Sequence, residues 1–327
     1  MQLRLVWALA PFHVRGALPL LSGYAPAMPN LRRMIVSAQL ALLRPLMAQL
    51  PPGSRSWVAR QLMRDRRAPG TVALADFFTQ ALMAWKNKQY DVNLNGEAAL
   101  LGRLTPFAPR VLFDVGANVG DWSLAACRHL PAATVHAFEI AAPTAAQLRN
   151  AAAACDGRII VNACGLGDRD GEITIFHAPE SDTATSTLRA AIEVSASSHN
   201  IHTITELSAR ITTGDAYLKA QDISHVDMLK IDVEGAEFAV LNGFADAFTR
   251  RAITLVQFEY GEINLRTRTF LADFYDFFTT RGFVLGKLYP DGVAFKPYAL
   301  AEEDFVGPNY IACLADRTDL IAALSCP

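Results

Sequence analysis

Acidic side chains stand at the ends of predicted strands, where carboxylates can bind a ligand or accept a proton. The run MLKIDVEGAE at 228–237 begins as a strand, and alternation along it places Lys230, Asp232 and Glu234 on one face. Ionisable residues at the end of a buried strand are costly unless they pair or serve a site. Glu259 ends the next predicted strand. We expect Asp232 and Glu259 to face one crevice, and a structural pair between Lys230 and a carboxylate explains part of the group equally well.

A glycine turn follows the first predicted strand and leads directly into a helix. It reads DVGANVG and contains Asp114, Gly116, Asn118 and Gly120. Glycines permit a tight turn and let backbone amides approach a ligand at a helix N-terminus. Asn118 stands where the dinucleotide fingerprint has its second glycine, which argues against NAD. A ligand with a zwitterionic amino-acid end and no pyrophosphate suits this turn better.

Glu139 ends the second predicted strand, about twenty residues after the glycine turn. An acid at this position accepts hydrogen bonds from two ribose hydroxyls, because one carboxylate has lone pairs for both. It therefore indicates a nucleoside cofactor without saying which one. An isolated glutamate is otherwise usually a solvated surface charge.

Strands alternating with helices must position these residues. The alternation predicts an α/β protein with a Rossmann-like, doubly wound, seven-stranded sheet and a helical N-terminal extension. The predicted strands are 111–115, 134–139, 158–163, 226–233, 253–260, 283–289 and 309–314. Helices are predicted at 121–129, 143–155, 236–248 and 270–278. Ligands of such sheets bind beyond the carboxyl ends of the strands, so the turn and the acids should converge.

Two stretches depart from this alternation. Residues 171–177 alternate after turn residues and predict a hairpin strand. The polar stretch 181–213 has no firm periodicity and is long enough to be a substrate loop. It contains His199 and His202, which are weak candidates for a base because loop histidines are more often solvated.

The N-terminal region differs in charge from the rest of the chain. Residues 1–70 contain ten arginines, no lysine and one acid, a charge of +9, whereas the whole chain carries −2. Helices are predicted at 29–50, 71–88 and 97–104, and prolines at 106 and 109 place a domain boundary near residue 108. The predicted buried stripe of the second helix is Leu74, Phe77, Phe78, Leu82 and Trp85. We expect a basic helical region, 1–108, and a catalytic domain, 109–327. The first region packs on the second, covers its substrate, forms a homodimer, or attaches to an anionic surface.

Composition limits the class of protein. With 51% hydrophobic residues the chain can build a core, and no apolar run reaches the roughly 20 residues of a membrane span. The five scattered cysteines favour a reducing compartment over a disulfide framework or a zinc site. We expect a cytoplasmic protein, although the arginine-rich, acid-poor N-terminus also resembles an organelle transit peptide.

Together the motifs resemble the FkbM family of S-adenosylmethionine-dependent methyltransferases. The resemblance covers about residues 95–314. It rests on DVGANVG at 114–120, FE at 138–139, NACGLGD at 162–168, STL at 186–188 and KIDVEGAE at 230–237. The last string is the most specific. The resemblance implies an O-methyltransferase that acts on hydroxyls of small molecules, natural products or saccharides.

The resemblance also implies cofactor roles. The amino-acid end of S-adenosyl-L-methionine would be held by Asp114, Gly116, Asn118 and Gly120. Glu139 would bind its ribose, and Asn162 would lie near the adenine.

The chain departs from the family pattern in two places. Glu259-Tyr260 stands where the family often has Glu-Ile-His, and Thr212-Thr213-Gly214-Asp215 replaces Thr-Leu-Asp.

Methyl transfer to a hydroxyl needs a group that removes the proton. We predict Asp232 and Glu259 as the catalytic carboxylates, with Glu234 third, and no metal ion. The same carboxylates could instead hold magnesium.

Two other functions compete. A non-catalytic cofactor-binding protein would act through its basic N-terminal region, and a nicotinamide oxidoreductase is disfavoured by Asn118. No nucleic-acid substrate is expected, because the Asp/Asn-Pro-Pro-aromatic string of amino-group methylation is absent.

Overall fold

The computed structural model describes residues 45, 48–178, 185–187, 189 and 203–327. The chain forms two compact units, residues 1–78 and 79–327. The predicted helix at 29–50 falls almost wholly outside the described residues, as do His199 and His202. The functional boundary near residue 108 stays a prediction.

The described residues before 86 include two helices with defined bounds. They are α1 (Pro52–Leu62) and α2 (Pro69–Trp85), which runs across the limit between the two units. Helix α2 matches the helix predicted at 71–88. Its predicted buried stripe, Leu74, Phe77, Phe78, Leu82 and Trp85, is wrong, because no residue of α2 is buried. Periodicity identifies an apolar face of a helix, but it does not show whether another part of the protein covers that face.

A mixed sheet forms the centre of the second unit. Its strands are β1 (Val111–Val115), β2 (Thr134–Phe138), β3 (Ile159–Asn162), β8 (Val226–Ile231), β9 (Ile253–Glu259), β10 (Phe283–Tyr289), β11 (Gly292–Phe295) and β12 (Asn309–Leu314). The order is β11-β10-β12-β9-β8-β1-β2-β3, and the five strands from β9 to β3 are parallel. The strand order reverses at β1, between β8 and β2, so a ligand crevice is expected at its carboxyl end.

Helices cover both faces of this sheet. They are α3 (Glu97–Leu104), α4 (Asp121–His129), α5 (Ala142–Ala152), α6 (Gly214–Ala220), α7 (Glu237–Asn242), α8 (Ala245–Thr249), α9 (Asn264–Thr267), α10 (Leu271–Thr279) and α11 (Thr318–Leu324). Neighbouring strand residues enter different apolar clusters: Phe113 packs with Phe244 on one side, and Leu112 packs with Leu101 of α3 on the other. Burial on both faces explains why these strands read as continuous apolar runs.

The Rossmann-like sheet of seven strands is present, and β11 adds an eighth strand at its edge through a hairpin with β10. The helix predicted at 236–248 is divided into α7 and α8. A Cβ at Gly243 would lie 2.1 Å from the carbonyl oxygen of Gly167, so the backbones pack there without a side chain between them.

A second, smaller sheet was only partly foreseen. Its strands are β4 (Gly165–Gly167), β5 (Gly171–His177), β6 (Thr185–Ser186) and β7 (Thr205–Thr213), in the order β4-β7-β5-β6. The predicted hairpin strand at 171–177 is confirmed as β5. The prediction of a loop up to residue 213 is wrong, because β7 pairs along the whole of β5. Polar residues alternate on β7's exposed side and hide the strand in the sequence.

The expectation that the cysteines form no disulfide is also corrected. Cys127 and Cys155 are bonded, with their Cα atoms 6.3 Å apart, and Cys164, Cys313 and Cys326 are free. Within the described part of the chain, no helix is long and apolar enough to cross a membrane.

Phe113 packs at the centre of the core. Its ring centroid lies 5.4 Å from that of Phe138, 5.7 Å from that of Tyr217 and 6.0 Å from that of Phe244. Phe113→Ala should lower the free energy of unfolding by about 3–5 kcal/mol, because the cavity cannot close between fixed strands. Ile160→Ala, at a position that is 40% exposed, is the control and should cost about 1 kcal/mol or less. Urea denaturation measures both, and equal losses would contradict this account of the core.

Candidate active site

The glycine turn after β1 has a backbone that only particular residues can adopt. Gly116 has φ +81°, and a Cβ there would lie 1.7 Å from the carbonyl oxygen of Asp232. Gly120 has φ +102°, and its Cβ would meet Leu148 at 2.7 Å. Asn118 has φ 49°, a left-handed conformation that asparagine tolerates better than most residues. The turn therefore lies against the end of β8 and leaves its backbone open on the other side.

Asp114 supports this turn from inside the protein. Its carboxylate is fully buried and accepts hydrogen bonds from Ser123 Oγ at 2.6 Å and from Lys230 Nζ at 3.2 Å. Each oxygen has a partner, and Asp114 does not line the cavity described below. Asp114 thus holds the turn in place, and its contact with the amino-acid end of a cofactor stays a prediction.

Glu139 anchors the glycine turn to the second strand. Its Oε2 accepts a hydrogen bond from the amide of Asn118 at 2.9 Å, and its Oε1 accepts one from the amide of Ala141 at 2.8 Å. Each oxygen keeps a second lone pair for a ligand hydroxyl. Burial raises the pKa of Glu139, although the two amides oppose this shift. The side chain is thus held in one orientation while it still has capacity to bind.

Three carboxylates meet at the ends of β8 and β9. Oxygen atoms of Asp232, Glu234 and Glu259 all lie within 4.8 Å of one another. Lys230 pairs with Gln257 in the parallel register of β8 and β9. Asp232 and Glu259, two positions later on each strand, therefore lie side by side. Glu234 reaches the group because its backbone turns back with φ 52°.

These carboxylates do not ionise independently. Burial raises the pKa of Asp232, but Lys230 Nζ at 3.3 Å and a hydrogen bond with Glu259 outweigh it and hold that pKa below its ordinary value. Burial, and then repulsion by Asp232 and Glu237, raises the pKa of Glu234 to about 8. Burial and the same kind of repulsion raise the pKa of Glu259 well above its usual range. The two pKa values shift in opposite directions, so Asp232 is the stronger acid of the pair and the proton of their shared hydrogen bond belongs on Glu259.

The two groups of residues face one cavity of about 690 Å³, a size suited to a cofactor together with a small molecule. The predicted site residues that line it are Gly116, Asn118, Glu139, Asp232, Glu234 and Glu259. Asp114, Gly120 and Asn162 do not line it. Asn162 is occupied within the protein, where its Oδ1 accepts a hydrogen bond from Tyr217 and its amide donates to the carbonyl oxygens of Ala137 and Ile160.

Several lining residues escaped the sequence analysis. The smaller sheet contributes Leu166, Ile173, Ile175, Thr185, Ser186 and Ile211. Ser186 also donates a hydrogen bond to the carbonyl oxygen of Glu234 at 2.9 Å, which joins this sheet to the carboxylate cluster. Leu166 and Ser186 stand in the strings NACGLGD and STL of the family resemblance. No local motif marks the other four positions, which the pairing of distant strands brings to the cavity.

Tyr90 is the most unexpected lining residue. It is 60% exposed and precedes the region of family resemblance. The segment around it is fixed by Asn87, whose amide donates to the carbonyl oxygens of Asn95 at 2.8 Å and Leu288 at 3.0 Å. Lys88, two residues before the tyrosine, pairs with Glu262. The aromatic ring therefore lies at the cavity on a well-supported segment.

Fold and site together define a class: a Rossmann-like α/β protein whose crevice joins a glycine turn and Glu139 to a carboxylate cluster. The Methyltransferase FkbM domain matches residues 114–285, more than half of the chain. The protein belongs to this FkbM methyltransferase family.

Two curated relatives match this chain with low sequence identity. The chain is 26% identical over 171 residues to the hexuronic acid methyltransferase AglP of Haloferax volcanii, across 52% of this chain and 65% of AglP. It is 28% identical over 146 residues to Methyltransferase 1 of Beauveria bassiana, across 41% of this chain and 58% of that protein. The matches thus span less than two thirds of either relative.

Solved structures are more distant. Cofactor-bound Rv0187 from MTB is 12% identical with a TM-score of 0.37, across 81% of this chain and 98% of that one. The O-methyltransferase TomG of Streptomyces achromogenes, solved with SAM, is 9% identical with a TM-score of 0.37, across 66% and 78%. TM-scores this low do not allow residues of those sites to be matched with residues of this chain.

The raised pKa of Glu234 predicts how stability depends on pH. Its folded value of about 8 lies above that of an unfolded glutamate, so the folded state loses stability as pH rises from the unfolded toward the folded pKa. Glu234→Gln removes this loss. The variant should gain stability relative to wild type between about pH 5 and pH 8, on the order of a few kcal/mol. Urea denaturation across this range, with exposed Glu172→Gln as control, tests it, and a pH-independent difference for Glu234→Gln would contradict the assignment.

Proposed function

We propose that this protein transfers a methyl group from S-adenosyl-L-methionine to a hydroxyl of a small molecule, natural product or saccharide. The observation that carries the proposal is the single cavity shared by Glu139 and the carboxylate cluster. One side of it suits a nucleoside, and the other can accept a proton. A methyl donor and an oxygen acceptor need these two sides next to each other.

The residues on the cofactor side fit this donor. Glu139 retains lone pairs for two ribose hydroxyls, and the open backbone at Gly116 lets a ligand approach closely. The buried Oδ1 of Asn118 has no hydrogen-bond partner among the described residues. An acceptor atom left unpaired in a cavity suits the ammonium group of an amino-acid end, and a buried polar atom without a partner is otherwise costly. Asn118 also takes the place of the glycine that a pyrophosphate requires.

Catalysis depends chiefly on how the acceptor hydroxyl is positioned and on the removal of its proton. When bound, S-adenosyl-L-methionine supplies an electrophilic methyl group on a sulfonium; the acceptor oxygen forms the new bond and S-adenosyl-L-homocysteine leaves. Holding the acceptor in line can contribute roughly 7–11 kcal/mol. Asp232, ionised at neutral pH, accepts the hydroxyl proton. Glu259 holds Asp232 in place through their hydrogen bond, and Glu234 is the third candidate.

The acceptor side suits a hydroxylated ring. Carboxylate oxygens of the cluster accept hydrogen bonds from hydroxyls, and the exposed ring of Tyr90 offers an apolar face with a polar tip. The relative AglP is named as a hexuronic acid methyltransferase, which supports a saccharide acceptor.

We assign the proton transfer to the carboxylates without a metal ion. The carboxylate oxygens, which lie within 4.8 Å of one another, would also suit a divalent cation. If no metal ion takes part, turnover should survive EDTA. Loss of turnover in EDTA and recovery with magnesium would show that the carboxylates hold a cation instead.

Calorimetry tests the cofactor. The purified chain should bind S-adenosyl-L-homocysteine and should not bind NAD. Glu139→Gln should weaken binding at least about tenfold, because the amide loses one acceptor oxygen beside the ribose. Exposed Glu172→Gln is the matched control and should leave affinity unchanged. Binding of NAD alone would overturn the methyltransferase proposal, and binding of neither ligand would favour a scaffold that acts through its basic N-terminal region.

Substitution of the cluster tests catalysis. Asp232→Asn should lower kcat by about 10²–10⁴ with an acceptor from a saccharide panel, because the hydroxyl proton loses its base. Glu259→Gln keeps a hydrogen-bond donor to Asp232, so its kcat should fall less than that of Asp232→Asn. Production of S-adenosyl-L-homocysteine measures turnover, and its retained binding shows that each variant is folded. Wild-type turnover in Asp232→Asn would remove this residue from the mechanism.

A further inference from the structure

Helix α2 carries a large apolar surface and yet contains no buried residue. Its 17 residues, Pro69–Trp85, include no lysine or arginine and one acid, Asp76. Five of its large apolar side chains are between 45% and 71% exposed: Val72, Phe77, Phe78, Leu82 and Trp85. A broad apolar helix face is normally covered by protein or lipid, and contiguous exposed apolar surface marks an interaction site.

The residues just before α2 are strongly basic. Arginines stand at 55, 60, 64, 66 and 67, all of them exposed. Asp65 and Asp76 are the only acids between residues 55 and 85, so this stretch carries a net charge of +3. Among the described residues, none of the five guanidinium groups forms an ion pair with a carboxylate. Arg55 donates hydrogen bonds to the carbonyl oxygens of Leu50 and Ala48, both at 2.8 Å. The charge of the other four arginines is available to an external anion.

We propose that residues 55–85, the docking segment, bind the surface of an anionic membrane. Aromatic side chains enter the boundary between lipid head groups and acyl chains, and arginines bind the head groups. The segment supplies both within 31 residues, including Trp57 on α1 and Trp85 at the end of α2. Tryptophan is enriched at this boundary because its ring is apolar and its N–H is polar.

The helix lies on the membrane and does not cross it. A helix of 17 residues is about 25 Å long, shorter than the roughly 30 Å hydrocarbon core. Helix α2 also has no basic residue of its own to reach the head groups. The arginines on and after α1 provide that contact, so the two parts act together.

Charge favours a membrane over a second copy of the chain. Two copies packed through this segment would place ten arginines in one assembly with few acids to offset them. Like charges at an interface are costly, whereas an anionic surface satisfies the arginines and the apolar helix at once.

Vesicle co-sedimentation of the full chain tests the proposal. The protein should bind vesicles of phosphatidylcholine with about one-third phosphatidylglycerol, and should bind pure phosphatidylcholine at least about tenfold less. Binding should weaken when salt is raised from about 0.1 M to about 0.5 M.

Two variants separate the two contributions. Combined substitution of Arg60, Arg64, Arg66 and Arg67 by Gln should reduce partition to the anionic vesicles at least about tenfold, and so should Phe77→Ser with Trp85→Ser. The matched control is Leu265→Ser with Leu300→Ser, which alters side chains that are 57% and 80% exposed elsewhere, and should bind as wild type does. Binding of S-adenosyl-L-homocysteine should be unchanged in all variants, which shows that the catalytic domain is folded.

Three outcomes would overturn the proposal. One is absence of binding to anionic vesicles. Another is wild-type binding by both docking variants, which would assign binding to residues before 45. The third is a dimer in light scattering that Phe77→Ser with Trp85→Ser dissociates while no vesicle binding occurs, which would make a second copy the partner.

Discussion

The buried ammonium group of Lys230 is the interaction on which the site depends. It lies 3.2 Å from Asp114 and 3.3 Å from Asp232, and almost none of its side chain is exposed. Burial lowers its pKa, but the neighbouring acids raise it above the ordinary value, so the lysine stays charged. A buried charge persists only with partners, and here the partners come from both ends of the site. One side chain therefore links the glycine turn to the carboxylate cluster.

This link determines how much charge the cluster can hold. Lys230 compensates Asp114 and Asp232, and it leaves Glu234 and Glu259 without a cation of their own. Burial, and then repulsion by Asp232, raises the pKa of both glutamates and favours their protonated forms. A cluster of three acids thus presents one base and two hydrogen-bond donors. The distinction matters for any ligand of the cluster. A ligand hydroxyl needs the base to take its proton, whereas other oxygen atoms of the ligand need hydrogen-bond donors.

The sequence was sufficient for the main sheet and for the acids at its edge. The strands at 111–115, 283–289 and 309–314 have the predicted bounds, since apolar runs between turn residues identify strands buried on both faces. The meeting of Asp232 and Glu259 also followed, because parallel neighbours end at one edge. Asp114 was harder to interpret. Its type and position fit a ligand contact, and only the three-dimensional structure shows that it pairs with Ser123 and Lys230 and does not line the cavity.

The residues contributed by distant strands could not be predicted. β7 pairs with β5 across a stretch whose polar alternation looks like a loop, and Tyr90 reaches the cavity from outside the region of family resemblance. The Cys127–Cys155 bond was missed for the same reason. A spacing of 28 residues carries no signal until the fold brings helix α4 near the end of α5.

The cavity has walls from two separate sheets. The main sheet supplies the glycine turn, Glu139 and the carboxylates, whereas the smaller sheet supplies apolar side chains and Ser186. Because the two sheets form separate hydrogen-bonded ladders, substitutions on β5 or β7 leave the strands that hold the carboxylates intact. Selection, or a protein engineer, can therefore reshape one wall of the cavity while the carboxylates on the other wall stay in place.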